Sequence, residues 1–266
     1  MARPIVKKLT KGILVMGGGF AFLLCIGIFW LSDKYVVPIL MYHHINDPSQ
    51  GSTLENVSPE NFFKQMEFLK KHNFNVIGLD ELTQGIKSGH SFRHKTVVIT
   101  LDDGYADNYY HALPILKEFQ FPVTLFISPG FLETKGFLTW AQLKEMVLQG
   151  ITIGSHTISH TYLPHLKPNE VTYEVFASKK ILEEQLGRSV DYFAYPLGGF
   201  NELTKYLVRK NGYHGAVTTN RGRERFNRDI YELNRIRFSN RDRGDLILWA
   251  KLSGYYNLFR EPRGSH

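Results

Sequence analysis

Apolar strand-like segments alternate with amphipathic helical segments from residue 36 to residue 238, and this alternation limits the chain to few folds. The candidate strands are residues 36–42, 74–78, 96–101, 123–128, 151–155, 191–195, 215–219 and 233–238. Several are apolar at nearly every position, which is typical of strands covered on both faces. One candidate helix begins at Ser58, and the others cover residues 105–119, 139–150, 168–187 and 201–212. Strands that alternate with helices predict a parallel sheet, and seven or eight such units favour closure into a barrel.

The N-terminal part of the chain has the pattern of a membrane anchor. Residues 12–31 are twenty consecutive uncharged, mostly apolar positions, which is the length that an α-helix needs to cross a bilayer. Basic residues precede this run, so the positive-inside rule places residues 1–11 in the cytoplasm and residues 32–266 outside. A cleaved signal peptide is the alternative, but the run is long for an h-region and no A-x-A site follows it. We therefore expect a single-pass anchor in the cytoplasmic membrane that carries one extracytoplasmic domain.

Charge and cysteine content exclude two other features. The formal net charge is +7, and Arg3, Lys7, Lys8 and Lys11 supply four of these charges. The remaining charge of about +3 (seven minus four) is too small to predict a nucleic-acid partner. Cys25 is the only cysteine, so no intramolecular disulfide can form and the core alone must stabilise the domain.

Three polar or glycine-rich segments follow candidate strands. Asp102 and Asp103 come directly after strand 96–101, while the segments 155–160 (SHTISH) and 196–199 (PLGG) accompany the ends of two others. In a parallel barrel the chemistry gathers at the C-terminal ends of the strands. We therefore expect all three segments on the same rim.

The rim contains a candidate metal site. His156 and His160 are four residues apart, a spacing that puts two imidazoles on one face of a helical turn. Two histidines and one carboxylate are a common ligand set for a catalytic zinc-like ion, and Asp103 is the natural third ligand. A spaced histidine pair alone is weak evidence for a metal, and the position of both histidines on the rim that carries Asp103 is what favours the site.

The second carboxylate of the pair has a different predicted role. Gly104 allows the backbone to turn, so both carboxylates can face one site. A cation that neutralises Asp103 allows Asp102 to lie close by and to act as the general base towards metal-bound water. The alternative is that one aspartate caps the following helix, but Asp107 is better placed for that.

These segments resemble the motifs of a known family. TLDDG (100–104), SHTISH (155–160) and FAYPLGG (193–199) resemble the first three motifs of the NodB-homology polysaccharide deacetylases, carbohydrate esterase family four. The combination is highly specific, and the resemblance extends from residue 39 to residue 238. The segments PILMYHHI, FLTW and FAYP further resemble the branch that includes the poly-N-acetylglucosamine deacetylases.

The resemblance implies both a fold and an activity. The implied fold is α/β, a distorted (β/α) barrel of about seven parallel strands. The implied activity is metal-dependent removal of acetyl groups from the N-acetylated hexosamines of a polysaccharide, with Asp102 as general base. Asp103, His156 and His160 are the implied ligands of a divalent metal, Zn²⁺ first, with Co²⁺, Ni²⁺ or Fe²⁺ as alternatives.

The chain departs from the family pattern at two points. Many members have an arginine that orients the base where this chain has Ala194. Arg235 is our candidate for that role and Arg237 is the alternative, although either could simply form a salt bridge on an exposed edge. Many members also have a late histidine as general acid, and the C-terminal region contains none at that place. His214 is interpreted as structural, so proton donation is left unassigned.

Four further residues are candidates for substrate contact. By the family pattern, the backbone N–H of Leu197 donates to the oxyanion and Pro196 helps to fix its loop, although an ordinary turn explains the segment equally well. Trp140 is a candidate for stacking on a sugar, although a tryptophan is more often part of the core. His43 ends the first candidate strand on the active rim and is a candidate substrate contact.

Two other functional classes stay open from the sequence. The missing arginine and late histidine are consistent with a catalytically weak glycan-binding protein of the same fold. A metal-dependent hydrolase of another ester or amide is a third hypothesis. Retention of all three predicted ligands and the base favours the deacetylase, because a pure binding protein gains nothing from them.

Overall fold

The computed structural model describes residues 34–47, 54–219 and 222–260. The predicted membrane anchor, residues 12–31, lies outside the described residues. Within the described ranges, no helix combines the length and the apolar character that crossing a membrane requires. The described residues from Val36 onward form one compact unit.

The fold is built on a parallel sheet. The strands are β1 (Ile39–Tyr42), β2 (His44–Ile45), β3 (Asn56–Val57), β4 (Asn75–Ile77), β5 (Thr96–Leu101), β6 (Val123–Ile127), β7 (Thr152–Ser155), β8 (Tyr192–Ala194), β9 (Gly215–Val217) and β10 (Ile236–Arg237). Seven of them run in the order β10-β1-β5-β6-β7-β8-β9, and β4 pairs with the start of β5. β2 and β3 form a separate parallel pair. The predicted α/β fold with about seven parallel strands is confirmed.

Among the described residues there are seven α-helices, six between strands and one after β10. They are α1 (Pro59–Lys71), α2 (Leu79–Ser88), α3 (Leu113–Phe119), α4 (Trp140–Leu148), α5 (Pro168–Leu186), α6 (Glu202–Lys210) and α7 (Asp245–Leu252). A π-helical turn, Asn108–Ala112, leads into α3. The start predicted at Ser58 is confirmed, since its hydroxyl accepts from the Asn61 N–H and proline occupies the first turn, both of which favour helix initiation.

The central strands supply much of the core. β5 is buried at all six positions and β6 at all five, as expected for strands covered on both faces. Burial of each Val, Leu or Ile side chain in such strands stabilises the fold by about 1.5–3 kcal/mol. This packing gives the strand ends a rigid base.

Residues 233–237 link the two ends of the sheet. Leu233 forms a parallel bridge with Val217 of β9, and Ile236 pairs with Leu40 of β1. The segment therefore changes its partner part-way along, which is why the predicted strand 233–238 is regular only at Ile236–Arg237. Segment 233–237 therefore links the two edge strands of the sheet, and Arg235 lies in the middle of it.

Gly104 occupies a turn that other residues fit poorly. Its φ is +78°, and a Cβ atom there would lie 2.6 Å from Ile127 Cδ1. Gly212 has almost the same φ, +76°, with no heavy atom within 4 Å of such a Cβ. A comparison of alanine substitutions at the two glycines therefore separates the cost of a left-handed backbone from the cost of a steric contact with Ile127.

We expect Gly104→Ala to lower the free energy of unfolding by more than Gly212→Ala does. The control carries only the cost of a left-handed alanine, about 1–2 kcal/mol, whereas the Gly104 variant adds overpacking, typically about 1–3 kcal/mol. Urea unfolding of both variants measures the difference. Equal decreases in the free energy of unfolding would show that the Ile127 side chain moves aside without loss of stability.

Candidate metal centre and active site

The sheet register brings the ends of five neighbouring strands to one level. The paired residues are Tyr42 with Leu101, Leu101 with Leu125, Ile127 with Ser155, and Ser155 with Phe193. His43, Asp102 and His156 directly follow β1, β5 and β7. Backbone hydrogen bonds continue the strand pairing by one residue. Asp102 N–H donates to the Tyr42 carbonyl at 3.0 Å, and His156 N–H donates to the Ile127 carbonyl at 2.9 Å. The predicted common rim is therefore present.

Three of the predicted residues form one cluster of ligand atoms. Asp103 Oδ1 lies 3.5 Å from His156 Nε2 and 3.3 Å from His160 Nε2. Two ligands of one tetrahedral zinc-like ion, each at about 2.0–2.1 Å from it, lie roughly 3.3–3.4 Å apart. Asp103 Oδ1 is buried and has no hydrogen-bond partner, an arrangement that a metal ion would satisfy. The donor set and its spacing therefore fit a divalent cation.

The orientation of His156 suits a ligand. Its Nδ1 is 2.7 Å from the carbonyl oxygen of Ala194. Because a carbonyl only accepts, Nδ1 carries the proton and the lone pair is on Nε2, the atom that faces Asp103. Burial lowers the pKa of His156 to about 4, against the opposing charges of Asp102 and Asp103. The imidazole is therefore neutral at physiological pH, as metal ligation requires.

The histidine loop is not a helical turn, and that expectation was wrong. Residues 156–160 are irregular, and both Thr157 (φ 64°) and His160 (φ 53°) have left-handed backbones. Glu174 on α5 holds the loop by accepting hydrogen bonds from the backbone N–H groups of Ile158 and Ser159 at 2.7 and 3.1 Å. The imidazoles converge because of this loop geometry, with ring centroids 4.8 Å apart.

Asp102 has a different partner from its neighbour. Arg235 donates Nη1–H to Asp102 Oδ1 at 2.7 Å and Nη2–H to Oδ2 at 2.6 Å, a bidentate pair. The Arg235 side chain is 0% exposed and that of Asp102 is 3% exposed. Arg235 also donates to the Thr218 carbonyl through Nε and to the Thr100 hydroxyl through Nη1. The guanidinium is thus fixed on three sides.

The neighbours of Asp102 set its protonation state. Burial raises the pKa of this carboxyl, but the charge of Arg235, followed by the electrostatic interaction with His156, the hydrogen bonds from Arg235 and the electrostatic interaction with His43, together lower the pKa to about 2. Asp102 is therefore ionised at neutral pH and able to accept a proton. The rim thus combines a three-ligand set with an ionised, fixed carboxylate, which are the parts needed for metal-assisted hydrolysis.

Comparison with known proteins agrees with this chemistry. Residues 89–216 match the family model described as polysaccharide deacetylase. The Bacillus subtilis (strain 168) protein YxkH, which carries a polysaccharide deacetylase name, is 36% identical over 203 residues, 76% of this chain and 71% of YxkH. The chain belongs to the polysaccharide deacetylase family. The resemblance stated from the motifs is thereby confirmed, and the protein is a hydrolase of this class.

Two further relatives extend the comparison. The poly-β-1,6-N-acetyl-D-glucosamine N-deacetylase of Staphylococcus aureus (strain MRSA252) is 30% identical over 171 residues, which cover 59% of each protein. The solved structure of the Streptococcus pyogenes deacetylase PplD in complex with acetate is 30% identical, with a TM-score of 0.72 over 77% of this chain and 93% of that chain. The deacetylase fold therefore extends over most of the described residues.

Within this deacetylase, the remaining predicted residues have distinct surroundings. His43 Nε2 lies 4.0 Å from Asp102 Oδ2. Leu197 has a left-handed backbone (φ 54°) and is 59% exposed, beside buried Pro196. Trp140 begins α4 and packs partly buried against the core. The functional roles of these residues, like those of Asp102, Asp103, His156, His160 and Arg235, stay predictions.

Asp107 does not cap the helix, and that expectation was wrong. Its side chain accepts from the Ile45 N–H at 3.1 Å and bonds to His44 Nδ1 at 2.6 Å. The His44 ring stacks on Tyr105 with centroids 3.5 Å apart. Burial, then the charge of Asp103, raises the pKa of the Tyr105 hydroxyl. Sequence reasoning missed the contacts that join His44, Tyr105 and Asp107. The adjacent His43–His44 pair was the only sequence signal for them.

We expect Arg235→Gln to destabilise the deacetylase and to change its pH profile. Removing one partner of a buried pair costs about 3–5 kcal/mol. Without the arginine, burial raises the pKa of Asp102, so the acid limb of kcat/KM should move to higher pH. Arg237→Gln is the control, because Arg237 is partly exposed and surface changes usually stay within about 0.5 kcal/mol.

The same pair has a predictable effect on stability at low pH. Aspartate in an unfolded chain has a pKa of about 3.9, and the folded value of Asp102 is lower, about 2. Ionised Asp102 therefore stabilises the fold above about pH 4, and this contribution is lost as the pH falls towards 2. Urea unfolding against pH should show a smaller loss over this range in Arg235→Gln. An identical loss in both proteins would contradict the pairing.

Proposed function

We propose that this chain is a metal-dependent N-deacetylase of an extracytoplasmic N-acetylglucosamine polysaccharide. The observation that carries the proposal is the juxtaposition of Asp103, His156 and His160 with an ionised Asp102. The names of the relatives support it, since the staphylococcal protein is named for an N-acetylglucosamine polymer and PplD was solved with acetate. Acetate is the product of the hydrolysis that we propose.

Asp103, His156 and His160 would hold a divalent cation. When bound, such a cation acts as a Lewis acid and lowers the pKa of water. A mixed set of two imidazoles and one carboxylate suits Zn²⁺, while Co²⁺, Ni²⁺ and Fe²⁺ are alternatives. The hydrogen bond from His156 Nδ1 to the Ala194 carbonyl keeps the Nε2 lone pair directed into the cluster.

Asp102 is the general base. Its pKa of about 2 leaves it unprotonated near neutral pH, so it can accept the proton of the attacking water. Arg235 is a positioning residue that holds both carboxylate oxygens and keeps the carboxylate plane fixed. It takes the place of the arginine that many family members have where this chain has Ala194.

The reaction also needs a proton donor and an oxyanion site. When an acetamide is hydrolysed, water adds to the carbonyl carbon, the C–N bond breaks and the leaving nitrogen takes up a proton. We assign that proton to His43, which follows β1 beside Asp102. The backbone N–H of Leu197 is the proposed oxyanion donor, because its left-handed turn is the kind of strained backbone that concentrates at active sites.

The proposed location rests on the sequence of residues 12–31. Their length and apolar character favour a single-pass anchor in the cytoplasmic membrane, with residues 32–266 outside. Fractionation of cells that produce the full chain tests this. Release of the intact chain from membranes by alkaline carbonate would contradict the anchor.

The full chain loaded with Zn²⁺ should release acetate from β-1,6-linked N-acetylglucosamine oligomers. Chelated protein should release almost none, since the activated water is lost without the cation. Colorimetric assay of new amines, together with acetate measurement, gives the rate. Oligomer binding without any acetate would instead favour the glycan-binding hypothesis, and acetate from aryl acetates alone would favour another esterase.

The two neighbouring aspartates should behave differently when they are substituted. Asp103→Ala and His156→Ala should lose bound Zn²⁺ and activity, because each removes a ligand. Asp102→Asn should keep the metal and lose at least about 100-fold in kcat, the usual contribution of a general base. Elemental analysis beside the rates measures both. His165→Ala, an exposed imidazole near the loop, is the control, and an Asp102→Asn protein at full speed would refute the base assignment.

A further inference from the structure

The predicted ligand His160 is held differently from the other two. Asp103 is two residues beyond the end of β5, and His156 directly follows β7, where its Nδ1 bonds to the Ala194 carbonyl at 2.7 Å. His160 is five residues beyond the end of β7, and its side chain is 27% exposed, compared with 3% for His156. The position of the His160 imidazole therefore depends on the backbone of residues 157–160.

This backbone is strained on both sides of its centre. Thr157 has a φ of 64° and His160 a φ of 53°. A left-handed backbone is uncommon for any residue other than glycine, and for a β-branched residue such as threonine it is a genuine outlier. Such conformations persist only when the surrounding structure holds them. The contacts of this loop should therefore decide where His160 lies.

On one side, the segment after β6 holds the carbonyl groups of the loop. The Ser128 hydroxyl donates to the His156 carbonyl at 2.7 Å, and Gly130 N–H donates to the Ile158 carbonyl at 3.0 Å. The approach is close, because a Cβ atom at Gly130 would lie 2.6 Å from the Ile158 oxygen. These bonds leave the N–H groups of the loop to be satisfied from elsewhere.

On the other side, Glu174 of α5 accepts from the N–H groups that precede His160. Its Oε2 accepts from Ile158 N–H at 2.7 Å and from Ser159 N–H at 3.1 Å. Its Oε1 accepts from the Ser159 hydroxyl at 2.7 Å. Hydrogen bonds to a charged acceptor are about twice as strong as neutral ones. One side chain therefore fixes two consecutive peptide groups next to the predicted ligand.

The helix that carries Glu174 is a firm base for this contact. Val171 and Val175, on either side of Glu174 along α5, are 1% and 0% exposed. Both belong to the main hydrophobic core. The carboxylate therefore transmits the position of a packed helix to the loop.

We infer that Glu174 is a positioning residue that sets the affinity of the site for its divalent cation by fixing the loop that carries His160. Without Glu174, the two N–H groups turn to water and the left-handed backbone of His160 relaxes. Its Nε2 then leaves its place 3.3 Å from Asp103 Oδ1. The inference rests on the proposed function, because it takes the cluster of Asp103, His156 and His160 to be a metal site.

The test is Zn²⁺ binding to the metal-free full chain, measured by competition with a chromophoric chelator. Glu174→Ala should raise the Kd for Zn²⁺ about ten- to 100-fold, the usual effect of removing a group that orients metal ligands. Glu174→Gln should recover most of the lost affinity, because its carbonyl oxygen accepts from both N–H groups and its amide donates to the Ser159 hydroxyl. Glu184→Ala, on the same helix with a side chain that is 64% exposed, is the control and should leave the Kd unaltered.

Two further measurements separate positioning from a general loss of stability. The visible spectrum of the Co²⁺-loaded chain should change in Glu174→Ala, because the His160 nitrogen no longer occupies its coordination position. In the metal-free chain, amide hydrogen exchange at Ile158 and Ser159 should be about tenfold faster or more, since each loses a hydrogen bond to a charged group. A merely structural role would speed exchange across β5 and β7 alike and would leave the Co²⁺ spectrum unaltered.

The outcomes distinguish this inference from the proposed function. An unaltered Kd for Zn²⁺ and an unaltered Co²⁺ spectrum in Glu174→Ala, shown to be folded by circular dichroism, would overturn the positioning role. Weaker Zn²⁺ binding in Glu174→Ala, together with a wild-type chain that binds Zn²⁺ but releases no acetate, would overturn only the deacetylase proposal. A wild-type chain that binds neither Zn²⁺ nor Co²⁺ would overturn both.

Discussion

The bidentate ion pair between Arg235 and Asp102 joins the segment that links the two ends of the sheet to the predicted general base on the rim. Arg235 lies in segment 233–237, which links β9 to β1, and its guanidinium is fully buried. A buried charge is tolerated only when its partners replace the lost water. The Thr218 carbonyl, the Thr100 hydroxyl and both Asp102 oxygens do so here. Arg235 therefore belongs to the segment that links the ends of the sheet, and its side chain also fixes the candidate base, Asp102.

The same pair explains how two adjacent carboxylates can share one strand end. Asp102 is directed at a guanidinium, whereas Asp103 turns away through its own left-handed backbone (φ 73°) towards two imidazoles. Each carboxylate thus has its own electrostatic environment, and the guanidinium of Arg235 offsets the charge of Asp102. One is held ionised by a permanent cation, and the other is left with a buried oxygen that has no hydrogen bond. This difference in partners is what lets the two residues take different roles.

The sequence predicted the parallel α/β fold and the gathering of Asp102, Asp103, His156 and His160 on one rim. Both follow from short-range signals, because apolar runs define strands and polar residues at their ends must meet at one edge of a parallel sheet. The loop conformations could not be predicted in this way. His156 and His160 converge through an irregular loop that Glu174 holds from α5, and Asp107 bonds to His44 rather than to a helix end. Such contacts join residues that are distant in sequence, and no local pattern specifies them.

Several strained backbone positions lie at the candidate site. Among the described residues, nine that are not glycine have positive φ, and Asp103, Thr157, His160 and Leu197 are four of them. Each such residue costs about 1–2 kcal/mol relative to a right-handed or extended backbone. That cost is sustained because the strands beneath are fully buried and the ladder continues directly into Asp102 and His156. The rigid ends of β5 and β7 therefore allow the turns above them to hold side chains in positions that a relaxed backbone would not offer. Glycine could relieve the strain at any of the four positions. At Asp103 and His160, however, glycine would also remove a predicted metal ligand. At these two residues a substitution that increases stability would therefore abolish the candidate chemistry.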